Sequence, residues 1–163
     1  MPAVPKLTNY FSSLQWIIFL AGCSLMACGM LPKAAPPTHA ILFTRIDVEA
    51  SPLANGGDPL TVDLVFVDDR DLLADLETRS AAMWRTYKAE YLQELQDKAF
   101  IYTLDIAPGQ TLSLSDFPDG GQSAQALVIF AHYDDPGLHR RIVQYESQVQ
   151  VYLQETDLVV VDE

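Results

Sequence analysis

Leu60-Thr61-Val62-Asp63-Leu64-Val65-Phe66-Val67, followed at once by Asp68-Asp69-Arg70-Asp71, is the stretch that decides the fold. Its β-branched and apolar residues read as a strand. Alternation puts Val62, Leu64 and Phe66 on one face and Thr61, Asp63, Val65 and Val67 on the other. The acids that follow suit the positive end of a helix dipole, and residues 72–97 contain neither Gly nor Pro. Within them Trp84, Tyr87, Tyr91 and Leu95 recur at steps of three and four, the spacing of one helical face. Leu76, Met83 and Leu92 widen that stripe. The expectation is a strand running into one long helix, whose aromatics pack it onto a sheet.

Working outward, Ile41–Val48 reads as a first strand. Ser51-Pro52 and Asn55-Gly56-Gly57-Asp58-Pro59 end it in a long polar loop. Beyond the helix, strands are expected at Phe100–Ile106, Gln110–Leu114, Ala124–Tyr133 and Arg141–Leu153, the last broken near Glu146. Leu158–Val161 closes the sheet. Turn chemistry separates these strands at Pro108-Gly109, Pro118-Asp119-Gly120-Gly121 and Asp134-Asp135-Pro136-Gly137. Short strands with one helical insertion, at about 70–97 between early strands, make a mainly β chain: a small antiparallel β-sandwich.

A 49% hydrophobic fraction allows a real core, and 163 residues leave room for one domain after a targeting segment. With 22 acidic against 10 basic residues, the chain is repelled by nucleic acid and by anionic headgroups. Nucleic-acid binding is excluded as a function class, and any membrane attachment must come from something other than a basic face.

The N-terminus reads as a signal. Lys6 is the only charge in residues 1–22, and Leu14-Gln-Trp-Ile-Ile-Phe-Leu-Ala-Gly-Cys23 is an apolar stretch ending in small residues. Leu20-Ala21-Gly22-Cys23 resembles the bacterial lipobox, whose cysteine is acylated and becomes the new N-terminus. Leu25-Met26-Ala27-Cys28 is an alternative, and an uncleaved membrane helix over Leu14–Leu31 is the remaining reading. Residues 1–22 are therefore taken as a lipoprotein signal peptide and 23–39 as the lipid anchor and a Pro/Ala-rich tether. Residues 40–163 are the folded domain. Neither cysteine is followed by aspartate, which by the sorting rule for such lipoproteins points to the outer membrane. Several acyl chains make a stable anchor, since each buried methylene contributes about 0.8 kcal/mol.

Chemistry is sparse. His132-Tyr133-Asp134-Asp135 with His139 straddles a Pro136-Gly137 turn and reads as a hairpin tip with its acids in water. Asp68, Asp69 and Asp71 lack the spaced ligands and central glycine of a calcium loop. No serine sits in a nucleophile elbow, and no glycine loop cradles phosphate. No catalytic residue, metal site or cofactor is expected, other than the covalent lipid.

Val48-Glu-Ala-Ser-Pro-Leu-Ala-Asn55, Pro59-Leu-Thr-Val-Asp-Leu-Val-Phe-Val67, Ile106-Ala-Pro-Gly-Gln110 and Ala126-Leu-Val-Ile-Phe-Ala-His-Tyr133 stand in a familiar order. That order resembles the outer-membrane lipoprotein of the type VI secretion membrane complex, the TssJ family. The likeness spans nearly all of residues 41–158. It departs in its longer helical region, in His132-Tyr133 where an arginine is usual, and in lacking a tryptophan near Gly137-Leu-His-Arg140. The resemblance implies a transthyretin-like sandwich with a helical addition. It also implies a partner, the periplasmic part of the inner-membrane subunit TssM, and a docking site in the first inter-strand loop. In this chain that site is Ser51, Pro52, Leu53, Ala54, Asn55, Gly56, Gly57 and Asp58. The rival readings are a pilotin-like lipoprotein chaperone of another envelope complex, and a lipid-tethered periplasmic ligand binder or enzyme.

Overall fold

The structure is a computed structural model that describes residues 40–95, 98–117 and 122–161. The signal and tether, with Cys23 and Cys28, lie outside the described residues, as do the turn at 118–121 and the end of the expected helix at 96–97. Element order is β1 (Ile41–Phe43), β2 (Arg45–Ala50), β3 (Leu60–Val67), α1 (Arg70–Leu76), α2 (Ala81–Glu94), β4 (Ala99–Ile106), β5 (Thr111–Leu114), β6 (Gln122–Ala124), β7 (Ala126–Ala131), β8 (Arg140–Val143), β9 (Gln148–Leu153) and β10 (Leu158–Val161).

The expected strand 60–67 is present residue for residue, and it organises the molecule. It pairs antiparallel with β4 from Leu60↔Ile106 to Val67↔Ala99, and with β7 from Val62↔Ala131 to Val67↔Ala126. The sheet order is β4-β3-β7-β8, and a second sheet runs β10-β9-β2-β5. Val62, Leu64 and Phe66 face the second sheet, with Ile46, Val48, Val149 and Val151 in the same core. Val65 and Val67 face the helices, packed with Leu73, Leu76, Trp84 and Phe130. One strand thus serves two cores, which is why β3 and β7 are almost continuously apolar.

Four expectations change. Ile41–Val48 is two strands: β1 pairs with β6 in a separate ribbon, while β2 joins the second sheet. Ala124–Tyr133 divides likewise, with Ala124 in that ribbon and Ala126–Ala131 in the main sheet. Not every pair is antiparallel, because β2 and β9 run parallel through six residue pairs, from Arg45↔Gln148 to Ala50↔Leu153.

The single helix is two. Asp69 caps α1 by accepting from the Leu72 amide, and Ser80 caps α2 by accepting from the Met83 amide. Between them the Arg140 guanidinium of β8 donates to the Leu76 and Arg79 carbonyls at 3.2 and 2.6 Å. The Leu76 carbonyl ends α1 and the Arg79 carbonyl lies in the connection just before Ser80, so one guanidinium ties the break between the helices to β8. The break turns Trp84 and Leu95 fully inward, while Met83, Tyr87 and Leu92 stay exposed. The apolar stripe is therefore narrower than its spacing implied.

Candidate functional site

The loop between β2 and β3 is built from its backbone upward. Asn55 and Gly56 are left-handed (φ 51° and 67°), and Gly57 follows at φ 91°. Three successive positive φ values explain the Asn-Gly-Gly sequence, since other side chains resist that region. The loop is pinned to its neighbours: Ser51 N–H donates to the Leu153 carbonyl at 2.8 Å, and Asn55 N–H to the Glu155 carbonyl at 3.0 Å. The Asn55 Oδ1 accepts from the Asp134 amide at 2.9 Å, tying the loop to the β7–β8 connection. Pro52 lies against Gly109.

Of the eight residues assigned to docking, Leu53 is 59% exposed, and Pro52, Gly56, Gly57 and Asp58 are also exposed. Ser51 and Asn55 are partly covered. Ala54, at 1% exposure, belongs to the sandwich core, so its methyl group holds the loop down rather than facing outward.

The 132–139 segment also departs from the simple hairpin tip. Asp134 and Asp135 do face water, but the side chains of His132, Tyr133 and His139 are buried. Tyr133 Oη donates to the Gln154 and Asp157 carbonyls at 2.8 and 2.9 Å. Burial first, and then the Asp157 charge, push its phenol well above the usual tyrosine range. His139 places Nδ1 3.2 Å from Asp157 Oδ1 and Nε2 2.9 Å from the Asp135 carbonyl. Asp157 is paired as well with Arg141 at 2.8 Å. Burial opposes ionisation of Asp157, but its bonds from Arg141, the Leu158 amide and His139 prevail and lower its pKa.

The His139 ring occupies the space that a Cβ at Gly137 would need. Gly137→Ala should therefore displace this ring and cost roughly 1–3 kcal/mol, the range for forcing an extra methyl into a packed site. Urea midpoints of the two proteins would check it, and an unchanged midpoint would refute it.

Sequence reasoning left Asp63 among valines and missed its role. It is 1% exposed on the helix-facing side of β3. Its carboxylate accepts from Trp84 Nε1 at 2.8 Å, Lys88 Nζ at 2.6 Å, Thr103 Oγ1 at 2.6 Å and His132 Nε2 at 2.9 Å. Burial would raise its pKa, but the bonds from His132, Lys88, Thr103 and Trp84 outweigh this and hold it far below the usual carboxylate range. A carboxylate only accepts, so His132 carries its proton on Nε2 and leaves Nδ1, which is buried without a partner. Thr103 lies directly opposite Asp63 on β4, a register that the sheet sets and that no local sequence signal marks.

Beside this hub is an open cleft of about 300 Å³, lined by Asn55 and Pro59 of the loop, Arg85 and Lys88 of α2, and Asp63 and His132 of the sheet. The β2–β3 loop and the inserted helix thus share one concave surface. Among the described residues no group of three or more His, Cys, Asp and Glu side chains converges as a metal site. Among the same residues no helix is long and apolar enough to cross a membrane.

Two packed sheets with a pair of helices laid on the outer face of one define a helix-decorated β-sandwich. Its particular form is TssJ-like. The T6SS lipoprotein TssJ1 from Pseudomonas aeruginosa matches with a TM-score of 0.57 and 14% identity, covering 78% of this chain and 98% of that one. The Serratia marcescens Lip, a membrane-bound component of the type VI secretion system, matches at 0.53 and 11%, covering 77% and 97%. A chain from the structure of the TssM C-terminal domain (869–1107) from EAEC matches at 0.53 and 11%, covering 77% and 99%. No protein-family model and no curated protein matches the sequence.

Proposed function

We propose that this chain is a non-enzymatic lipoprotein that docks and stabilises a type VI secretion membrane complex at the outer membrane. Residues 1–22 are its signal peptide, Cys23 (alternatively Cys28) carries the lipid, and 23–39 tether the 40–163 domain on the periplasmic face. The partner is the periplasmic part of TssM, met by the exposed residues of loop 51–58. The observation that carries this reading is the TssJ-like sandwich, nearly the full length of TssJ1. It supports the resemblance that the residues of β3 and its flanking loops suggest independently. The pinned loop supports the site: a surface already ordered before binding loses little conformational entropy on docking.

The experiment is affinity purification of the tagged chain from gently solubilised envelopes of its host. Wild type should recover TssM and its complex, and a chain with loop 51–58 shortened should recover neither. Cys23→Ala should leave the protein unlipidated and outside the membrane fraction. Wild type recovered alone, or with an unrelated secretin, would overturn the docking role and favour a pilotin-like chaperone.

A further inference from the structure

The β7–β8 connection links the proposed docking loop to the inserted helix. At one end Asp134 is bonded to Asn55, and at the other the Leu138 carbonyl accepts from the Ala81 amide, the first residue of α2, at 2.8 Å. Buried Tyr133 and His139, flanking these two points, anchor the connection to the β9–β10 turn. The cleft joins the same loop and helix a second time, with Asn55 on one wall and Arg85 on the other. Loop 51–58, the β7–β8 connection and the start of α2 are therefore one continuous fixed surface.

That surface leaves large apolar side chains in water. Leu138 is 60% exposed, Leu53 59% and Met83 46%. Tethering Leu138 to the helix start brings it to the turn that carries Met83, which packing onto the sheet does not use. Asp58 of the loop, Asp135 of the connection and Glu155 of the β9–β10 turn are exposed with no ion-pair partner among the described residues, and they outweigh Arg85, the exposed cation on the helix side. Apolar anchors with a charged rim are the anatomy of a protein interface. The sign of the rim selects the occupant, because acids facing acids would repel a second copy of this chain, whose net charge is −12.

We infer that the docking surface runs from loop 51–58 across the β7–β8 connection onto the first turn of α2. Its occupant is a polypeptide segment whose apolar side chains seat on Leu53, Leu138 and Met83 while lysine or arginine residues face Asp58, Asp135 and Glu155. This rests on the docking role proposed above and assigns that site a second half and a partner chemistry.

The test measures the Kd of the purified TssM periplasmic domain for the mature chain by calorimetry, at low and at high salt. Leu138→Ser and Met83→Ser replace side chains that are about half exposed, and matched melting curves confirm that both variants fold. Each is expected to raise Kd by about tenfold or more at either salt. Asp135→Lys with Glu155→Lys should raise Kd at low salt by about tenfold, an effect that shrinks at high salt as screening removes the charge contribution. Wild-type binding that the loop deletion abolishes, but that all of these variants retain, overturns the extended surface and leaves the docking loop standing. Absence of any wild-type binding overturns both. A wild-type dimer in sedimentation that Leu138→Ser dissociates would give this face to a second copy and overturn the basic partner.

Discussion

Asp63→Ala is expected to destabilise the domain by about 3–5 kcal/mol, the range seen when one member of a buried ion pair is removed. The carboxylate is the common acceptor of Trp84, Lys88, Thr103 and His132. Lys88 is 24% exposed and can turn toward water, but Trp84 is 0% exposed, so its indole N–H is stranded. Because α2 is held to the sheet at this point, the loss should appear first as faster hydrogen exchange in α2. The effect also carries a pH signature. The folded-state pKa of Asp63 lies below its unfolded value, so its contribution is present above about pH 4 and lost as pH falls through the folded pKa. Asp63→Asn removes this component, so its stability should decline less steeply below about pH 4 than that of wild type. Urea unfolding across that range is the measurement, and parallel pH curves would refute the assignment. Asp47, Asp75 and Asp157 have lowered pKa values too, so wild-type acid sensitivity is shared and Asp63→Asn removes only part of it.

Phe66→Ala should cost about as much, roughly 3–5 kcal/mol, for a different reason. Its ring is fully buried in the inter-sheet core, edge-on to Phe43 at 5.5 Å, Tyr102 at 6.0 Å and Phe117 at 6.0 Å. Truncation leaves a cavity bordered by three rings that belong to different strands and loops and cannot collapse together. Phe66 and Asp63 lie on one strand but in opposite layers. Their two losses should therefore add within about 0.5 kcal/mol in the double variant. The measurement is equilibrium unfolding of both single variants and the double variant. A larger coupling would mean that truncation in one core repacks the other through β3.

Periodicity and turn chemistry made much of the fold legible. Alternation in residues 60–67 assigned Val62, Leu64 and Phe66 to one layer and Val65 and Val67 to the other, and the structure places them so. Leu158–Val161 was readable as a closing strand, and Asn55-Gly56-Gly57-Asp58-Pro59 as part of the loop that ends the first strand, because each of these signals acts within a few residues.

What the chain could not reveal locally depends on distant partners. The helix breaks near Thr78 although no Gly or Pro stands there, because Ser80 caps a second helix and Arg140, some 60 residues away, binds the Leu76 carbonyl that ends the first and the Arg79 carbonyl of the connection. Met83 and Leu92 match the helical spacing, yet the angle at which α2 lies on the sheet leaves them outside. The parallel pairing of β2 with β9 spans about 100 residues of sequence. Alternation gave Asp63 only a face of its strand, yet it is a buried hub of the helical layer, with partners 21 to 69 positions away from it. Side-chain alternation and turn preference are set by neighbouring residues. The partner of a buried charge, the end of a helix and the exposure of an apolar side chain are set by what the whole chain packs against them.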